Sequence, residues 1–214
     1  ITISGGAVLT ATGEQGYGIK AYGSVTIRGE DTVVTADGGS STDEDGYTYY
    51  YDGIYAAEYD ILITDGAEVT ATGDAGGIFA DDGSVTISGG AVVTATGETY
   101  PGIEASGSVT ISGGAVVGAT GEQRSGISAD YGSVTIQGKD TVVTAVGRSY
   151  IDEDDTEYDD GILAYGDILI EDGAEVTATG DGYGIYADDG SVTIQGEDTK
   201  VTAMGGTLGR AIYG

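Results

Sequence analysis

Short runs of alternating apolar and polar residues recur along the whole chain, separated by glycine. The unit V-T-I-x-G-G-A-x-V-T-A-T-G-(acid)-x-x-x-G-I-x-A-x-x-G-S returns about every 24 residues. Its copies open at Ile1, Val25, Ile61, Val85, Val109, Val134, Ile168 and Val192. Alternation with period two marks a strand with one face buried. In segment 85–108, Val85 and Ile87 are therefore expected inward and Thr86 outward. Comparing the copies orients the second strand. The position of Val93 is Leu9, Val34, Val69, Val117, Val143, Val176 or Val201 elsewhere, and that of Ala95 is alanine in every copy. The position of Val92 accepts Glu68, Glu175 and Lys200, so it faces out with Thr94 and Thr96. A third short strand has Ile103 and Ala105 inward. Three strands and three bends per repeat predict an all-β fold: a single parallel β-helix of about eight coils, right-handed by the usual sense of parallel crossovers.

A longer period overlies the short one. Segment 28–34 answers 137–143 and segment 61–68 answers 168–175, so the single domain 1–214 reads as a duplication of 1–108 and 109–214. Each half carries one insertion after its second strand, at 40–52 and at 148–160. The chain opens on a strand, without an initiator Met, and stops just after Tyr213, so it is expected to be an excerpt or a processed product of a longer chain.

Composition adds the solvent side. The 214 residues include 41 Gly, 16 Tyr, one Phe, one Pro and no Trp, Cys or His. Tight bends, short strands and a thin column of small side chains suit that content. Thirty-six acidic residues against seven Lys and Arg leave a formal charge of −29. Such a field repels nucleic acid and anionic lipid, attracts cations, and keeps a repetitive β-protein soluble. No apolar stretch is long enough to insert in a membrane. Without His or Cys there is no imidazole or thiol for a nucleophilic triad. Arg124 and Arg148 are the only neighbouring basic residues on an expected common edge, and structural ion pairing accounts for them. No enzyme activity is expected.

The insertions are the most individual segments, and long loops on a regular scaffold collect binding residues. Their acidic residues, Asp43, Asp45 and Asp52 in the first and Asp152, Asp154, Asp155 and Asp160 in the second, are candidate Ca²⁺ ligands, because carboxylate oxygens are hard donors. Their tyrosines, Tyr47, Tyr49, Tyr50, Tyr51, Tyr150 and Tyr158, can stack on sugar rings and hydrogen-bond through their hydroxyls. The outward column of the third strand reads Lys20, Tyr55, Phe79, Glu104, Ser128, Leu163, Tyr186 and Tyr213. Tyr55 with Phe79, and Tyr186 with Tyr213, are expected as stacked neighbours, either as a binding platform or as a ladder that stabilises the sheet. Thr10/Thr12, Thr70/Thr72, Thr94/Thr96 and Thr177/Thr179 form two columns like those of ice-binding solenoids, interrupted at Asp37, Gly118, Val146 and Met204.

The run Asp52-Gly53-Ile54-Tyr55-Ala56, followed by Ile61-Leu62-Ile63-Thr64-Asp65-Gly66-Ala67-Glu68-Val69-Thr70, resembles the D-G-I-x-A…L-T-I-x-G-G-x-V-T-I repeat of secreted, polysaccharide-lyase-like parallel β-helices. The resemblance extends over all eight coils. It implies a non-catalytic, Ca²⁺-carrying binder of cell-wall polysaccharide, extracellular or at the cell surface, with Asp52 and Asp160 at the family's acidic position. Two other classes stay open. One is a structural or adhesin stalk of a bacterial surface protein, with end-to-end self-association through stacked coils. The other is ice binding through the Thr columns.

Overall fold

The computed structural model describes residues 1–151, 156–157, 159–207 and 209–214. The alternation resolves into three strands per coil, as in Val85–Ile87, Val92–Gly97 and Ile103–Ala105 of the fourth coil. Stacking the coils builds three eight-stranded sheets, one from each strand of the repeat. Their neighbours are all parallel and in register, for example Val69↔Val93, Ala71↔Ala95 and Ile78↔Ile103. Among the described residues there is no helix, and the molecule is a parallel β-helix.

The expected faces hold. Val85, Ile87, Val93, Ala95, Ile103 and Ala105 are buried, while Val92 and Thr94 are exposed. The bore is filled by Ile, Val and Ala, and burying each Val or Ile contributes on the order of 1.5–3 kcal/mol. The first strand turns Val or Ile and then Ile inward, and the third turns Ile and Ala inward. The second strand alternates Val with Ala.

Two backbone features fix the coil. The bend between the first and second strands needs successive left-handed residues: Gly89 and Gly90 have φ of 62° and 73°. Asp65 and Asp172 take the first of these positions in their coils, aspartate being one of the few side chains that tolerates it. In the coils opening at Val25, Val134 and Val192 the bend is one residue longer, with the left-handed aspartate at Asp31, Asp140 or Asp198. A threonine then closes it. Thr32, Thr141 and Thr199 donate to the carbonyls of Arg28, Gln137 and Gln195 at 2.7–2.9 Å. Each also accepts an amide hydrogen from the preceding coil, at Gly6, Gly114 and Gly173. The second feature is the glycine before the third-strand Ile in the first seven coils. A Cβ on Gly53 would lie 2.7 Å from the Thr72 nitrogen, and one on Gly161 would lie 2.6 Å from the Gly184 oxygen. No side chain fits there.

Both insertions leave the solenoid after a second-strand glycine. Ser40–Thr42 pairs antiparallel with Thr48–Tyr50, and Tyr150–Ile151 pairs with Thr156–Glu157.

Candidate functional site

The first insertion is a hairpin shaped by its own acid. Asp43 Oδ1 accepts the amides of Asp45 and Tyr47 at 3.0 and 2.9 Å, and Oδ2 accepts the Tyr49 hydroxyl at 3.2 Å. Tyr47 and Tyr49 are exposed on the hairpin. Tyr50 and Tyr51 turn back toward the coils. Tyr51 shares a hydrogen bond with Ser41 Oγ at 2.9 Å and meets Tyr17 edge-on, with ring centres 5.0 Å apart.

Tyr17 then connects hairpin to column. It stacks on Tyr55 at 4.7 Å, and Tyr55 lies 5.7 Å from Phe79, the neighbour expected from the register. Lys20 Nζ rests over this surface, 4.3 Å from the centre of Tyr17 and 5.1 Å from that of Tyr55. Tyr55 donates to Asp81 Oδ2 at 2.6 Å, which fixes its ring and, with burial as the larger cause, pushes its phenol far above the usual range.

The rings wall an open cavity of about 260 Å³, bounded by Tyr17, Tyr50, Asp52, Tyr55, Phe79, Tyr100 and Glu104 together with Ala75. A second cavity of about 240 Å³ shares Tyr50 and Tyr100 and ends at Thr99, Gln123 and Arg124. Together they form a groove along the solenoid axis from the first coil to the fifth. At one strand spacing per coil, that span is roughly 19 Å.

The carboxyl groups of the groove are not ordinary ones. Asp52 is buried and its Oδ1 accepts the Gly76 amide at 2.7 Å. Burial pushes it up to about 7, against that hydrogen bond. Burial, then the charge of Asp130 and a hydrogen bond with it, push Glu104 up to about 8. Glu104 Oε2 is buried with no hydrogen-bond partner. Ser128, the next outward residue of the column, donates to Asp130 Oδ1 at 2.7 Å.

The second half arranges the same positions differently. Asp160 is buried and accepts the Tyr183 amide at 2.6 Å, and burial pushes it up to about 7. Leu163 replaces Tyr55 in the column. The rings gather one coil later: Tyr183 stacks on Tyr186 at 4.9 Å, and Tyr186 lies 5.4 Å from Tyr213. Tyr186 donates to Asp188 at 2.6 Å, which raises its phenol to about 12, and Arg210 lies 5.5 Å over Tyr213. The cavity beside Tyr213 and Arg210 opens on the last coil of the chain.

For the residues expected from sequence, Tyr50, Tyr55, Phe79 and Asp52 line the groove, Tyr51 packs edge-on against Tyr17, and Tyr186 with Tyr213 form a separate cluster. Asp152, Asp154, Asp155 and Tyr158 lie outside the described residues. Among the described residues, no three acidic side chains approach closely enough to hold a metal ion. Asp52 and Asp160, the positions tied to Ca²⁺ by resemblance, are buried, and each accepts an amide of the next coil through Oδ1. Arg148 pairs with Glu122 at the surface, and its amide meets the Arg124 carbonyl, as structural ion pairing on one edge predicts.

Sequence reasoning missed Tyr17, Tyr100 and the unpartnered oxygen of Glu104. One signal was present. The residue two before each third-strand Ile reads Tyr17, Asp52, Gly76, Pro101, Ser125, Asp160, Tyr183 and Arg210 across the coils, a column that borders the aromatic one. Comparison with known proteins found no family model, no curated protein and no solved structure that matches this chain.

Proposed function

We propose that this β-helix is a non-catalytic carbohydrate-binding protein of an extracellular or cell-surface setting, which holds a polysaccharide along the groove of its first half. The observation that carries this function is the succession of aromatic contacts Tyr51–Tyr17–Tyr55–Phe79 beside two cavities that share Tyr50 and Tyr100. Sugar rings present flat C–H faces to aromatic rings and hydroxyls to polar rims. Tyr50, Tyr100, Thr99 and Gln123 supply such a rim. An open groove without imidazole, thiol or a metal-ligand cluster among the described residues suits binding without turnover.

Affinity electrophoresis through gels containing soluble cellulose, xylan, pectin or chitosan tests the role. Retardation by at least one polysaccharide is expected. Tyr50→Ala combined with Tyr55→Ala should weaken retention at least ~10-fold, consistent with ~1–3 kcal/mol for each lost ring contact. Retention that survives EDTA unchanged would separate the groove from any contribution of calcium at the hairpin acids. No retardation on any polysaccharide would end the proposal.

A further inference from the structure

Resting on the carbohydrate-binding role, the groove's chemistry narrows the sugar. Its first cavity is lined by the rings of Phe79, Tyr55 and Tyr100 and by the carboxyl groups of Asp52 and Glu104. A neutral sugar would satisfy the rings and offer Glu104 Oε2, already buried without a partner, hydroxyl donors that carry no charge. The rings themselves already hold cations. Lys20 lies over Tyr17 and Tyr55, and in the other half Arg210 lies over Tyr213. A ring face and an adjacent carboxylate together make a site for an ammonium group.

We infer that the first cavity takes an amine-bearing sugar ring, its ammonium between the Phe79 face and the Glu104 carboxylate, as in a glucosamine polymer. Phe79 and Glu104 are register neighbours on adjacent strands, so one ring-sized ligand reaches both. The amine belongs in this cavity, because the second is bounded by Arg124. The surrounding charge favours it throughout: the chain carries −29. A free lysine side chain would satisfy the carboxylate equally, but it offers no flat ring to lie along the succession of aromatic faces.

The inference has a signature beyond affinity. Glu104 feels the charges of Asp130, Asp52 and Asp81, and Lys20 bears on Asp52. Burial and these like charges keep its proton in the free protein near neutrality. An ammonium group beside it favours the ionised form, so binding must release a proton.

The whole chain is titrated calorimetrically at about pH 6 with glucosamine hexamer, its N-acetylated counterpart, cellohexaose and hexalysine, in two buffers of different ionisation enthalpy. Glucosamine hexamer is expected to bind at least ~10-fold tighter than either neutral sugar, with proton release and a loss of affinity at high salt. Glu104→Gln should reduce that preference at least ~10-fold, with its fold checked by circular dichroism. Equal affinity for charged and neutral sugars, or binding without proton release in the unmodified protein, overturns the amine assignment and leaves the polysaccharide role standing. Hexalysine binding as tightly as the glucosamine hexamer also overturns it, by showing a general response to cations. Absence of binding to every sugar overturns the polysaccharide role itself.

Discussion

The two halves of the solenoid have one interior and two exteriors. In the coils of Ile54/Ala56 and Ile162/Ala164, the third strand turns the same pair inward, and Asp52 and Asp160 cap the next coil in the same way. Outward, the first half shows Tyr55, Phe79 and Glu104, and the second shows Leu163, Tyr186 and Tyr213. Leucine takes the place of Tyr55 in the column of the second half, and the beside-column space at Leu163 is a smaller cavity of about 150 Å³. A repeated scaffold can thus keep its bore and vary its surface, because side chains of alternate parity on one strand never share an environment.

If the interiors are equivalent, damage to them should be equal in both halves. The largest effect is expected from Gly53→Ala and Gly161→Ala, each of which drives a Cβ into the backbone of neighbouring strands. Each should cost about 3 kcal/mol or more, read by denaturant unfolding. A mild effect at one site alone would show that the two halves are not equivalent scaffolds.

Next come the buried aspartates. Burial raises Asp52 and Asp160 from an ordinary 3.8 to about 7, so the folded chain holds these protons more tightly than the unfolded one. Their contribution is fully present below about pH 4 and is lost as the pH rises through about 7. Stability should therefore fall from pH 5 to pH 8, the opposite of the usual acid-labile behaviour. Asp52→Asn keeps the acceptor for the Gly76 amide and removes the titration. It should flatten the profile and stabilise the protein at pH 8 by on the order of 1–3 kcal/mol, with Asp160→Asn behaving alike. A melting temperature that rises with pH would refute the assignment.

The smallest effect separates bend from bore. Thr32→Val and Thr141→Val leave the volume and remove one donor to a carbonyl and one acceptor for an amide. Each should cost about 1–2 kcal/mol, again equally in the two halves.

Much of this was legible in the chain. The Val93 and Ala95 columns, the outward Val92 position and the matched insertions follow from comparing copies, since a substitution to Glu or Lys marks water. The Tyr55–Phe79 and Tyr186–Tyr213 pairs follow from register. The burial of Asp52 was hidden, because an acidic residue beside an acidic insertion reads as solvated until the Gly76 amide of the next coil is placed over it. Tyr17 was hidden for a related reason: its partner Tyr51 arrives on a hairpin whose path no periodicity encodes.

The repeat alone determined the coil, its inward residues and the neighbours across each sheet, because parallel in-register strands place residues one period apart side by side. Only the tertiary structure decided which outward residues meet. The bends and the hairpin carry Tyr17, Tyr50, Tyr51 and Tyr100 over the edge of the coils by backbone angles and hydrogen bonds between coils, and the groove exists where those paths cross the column of Tyr55, Phe79 and Glu104.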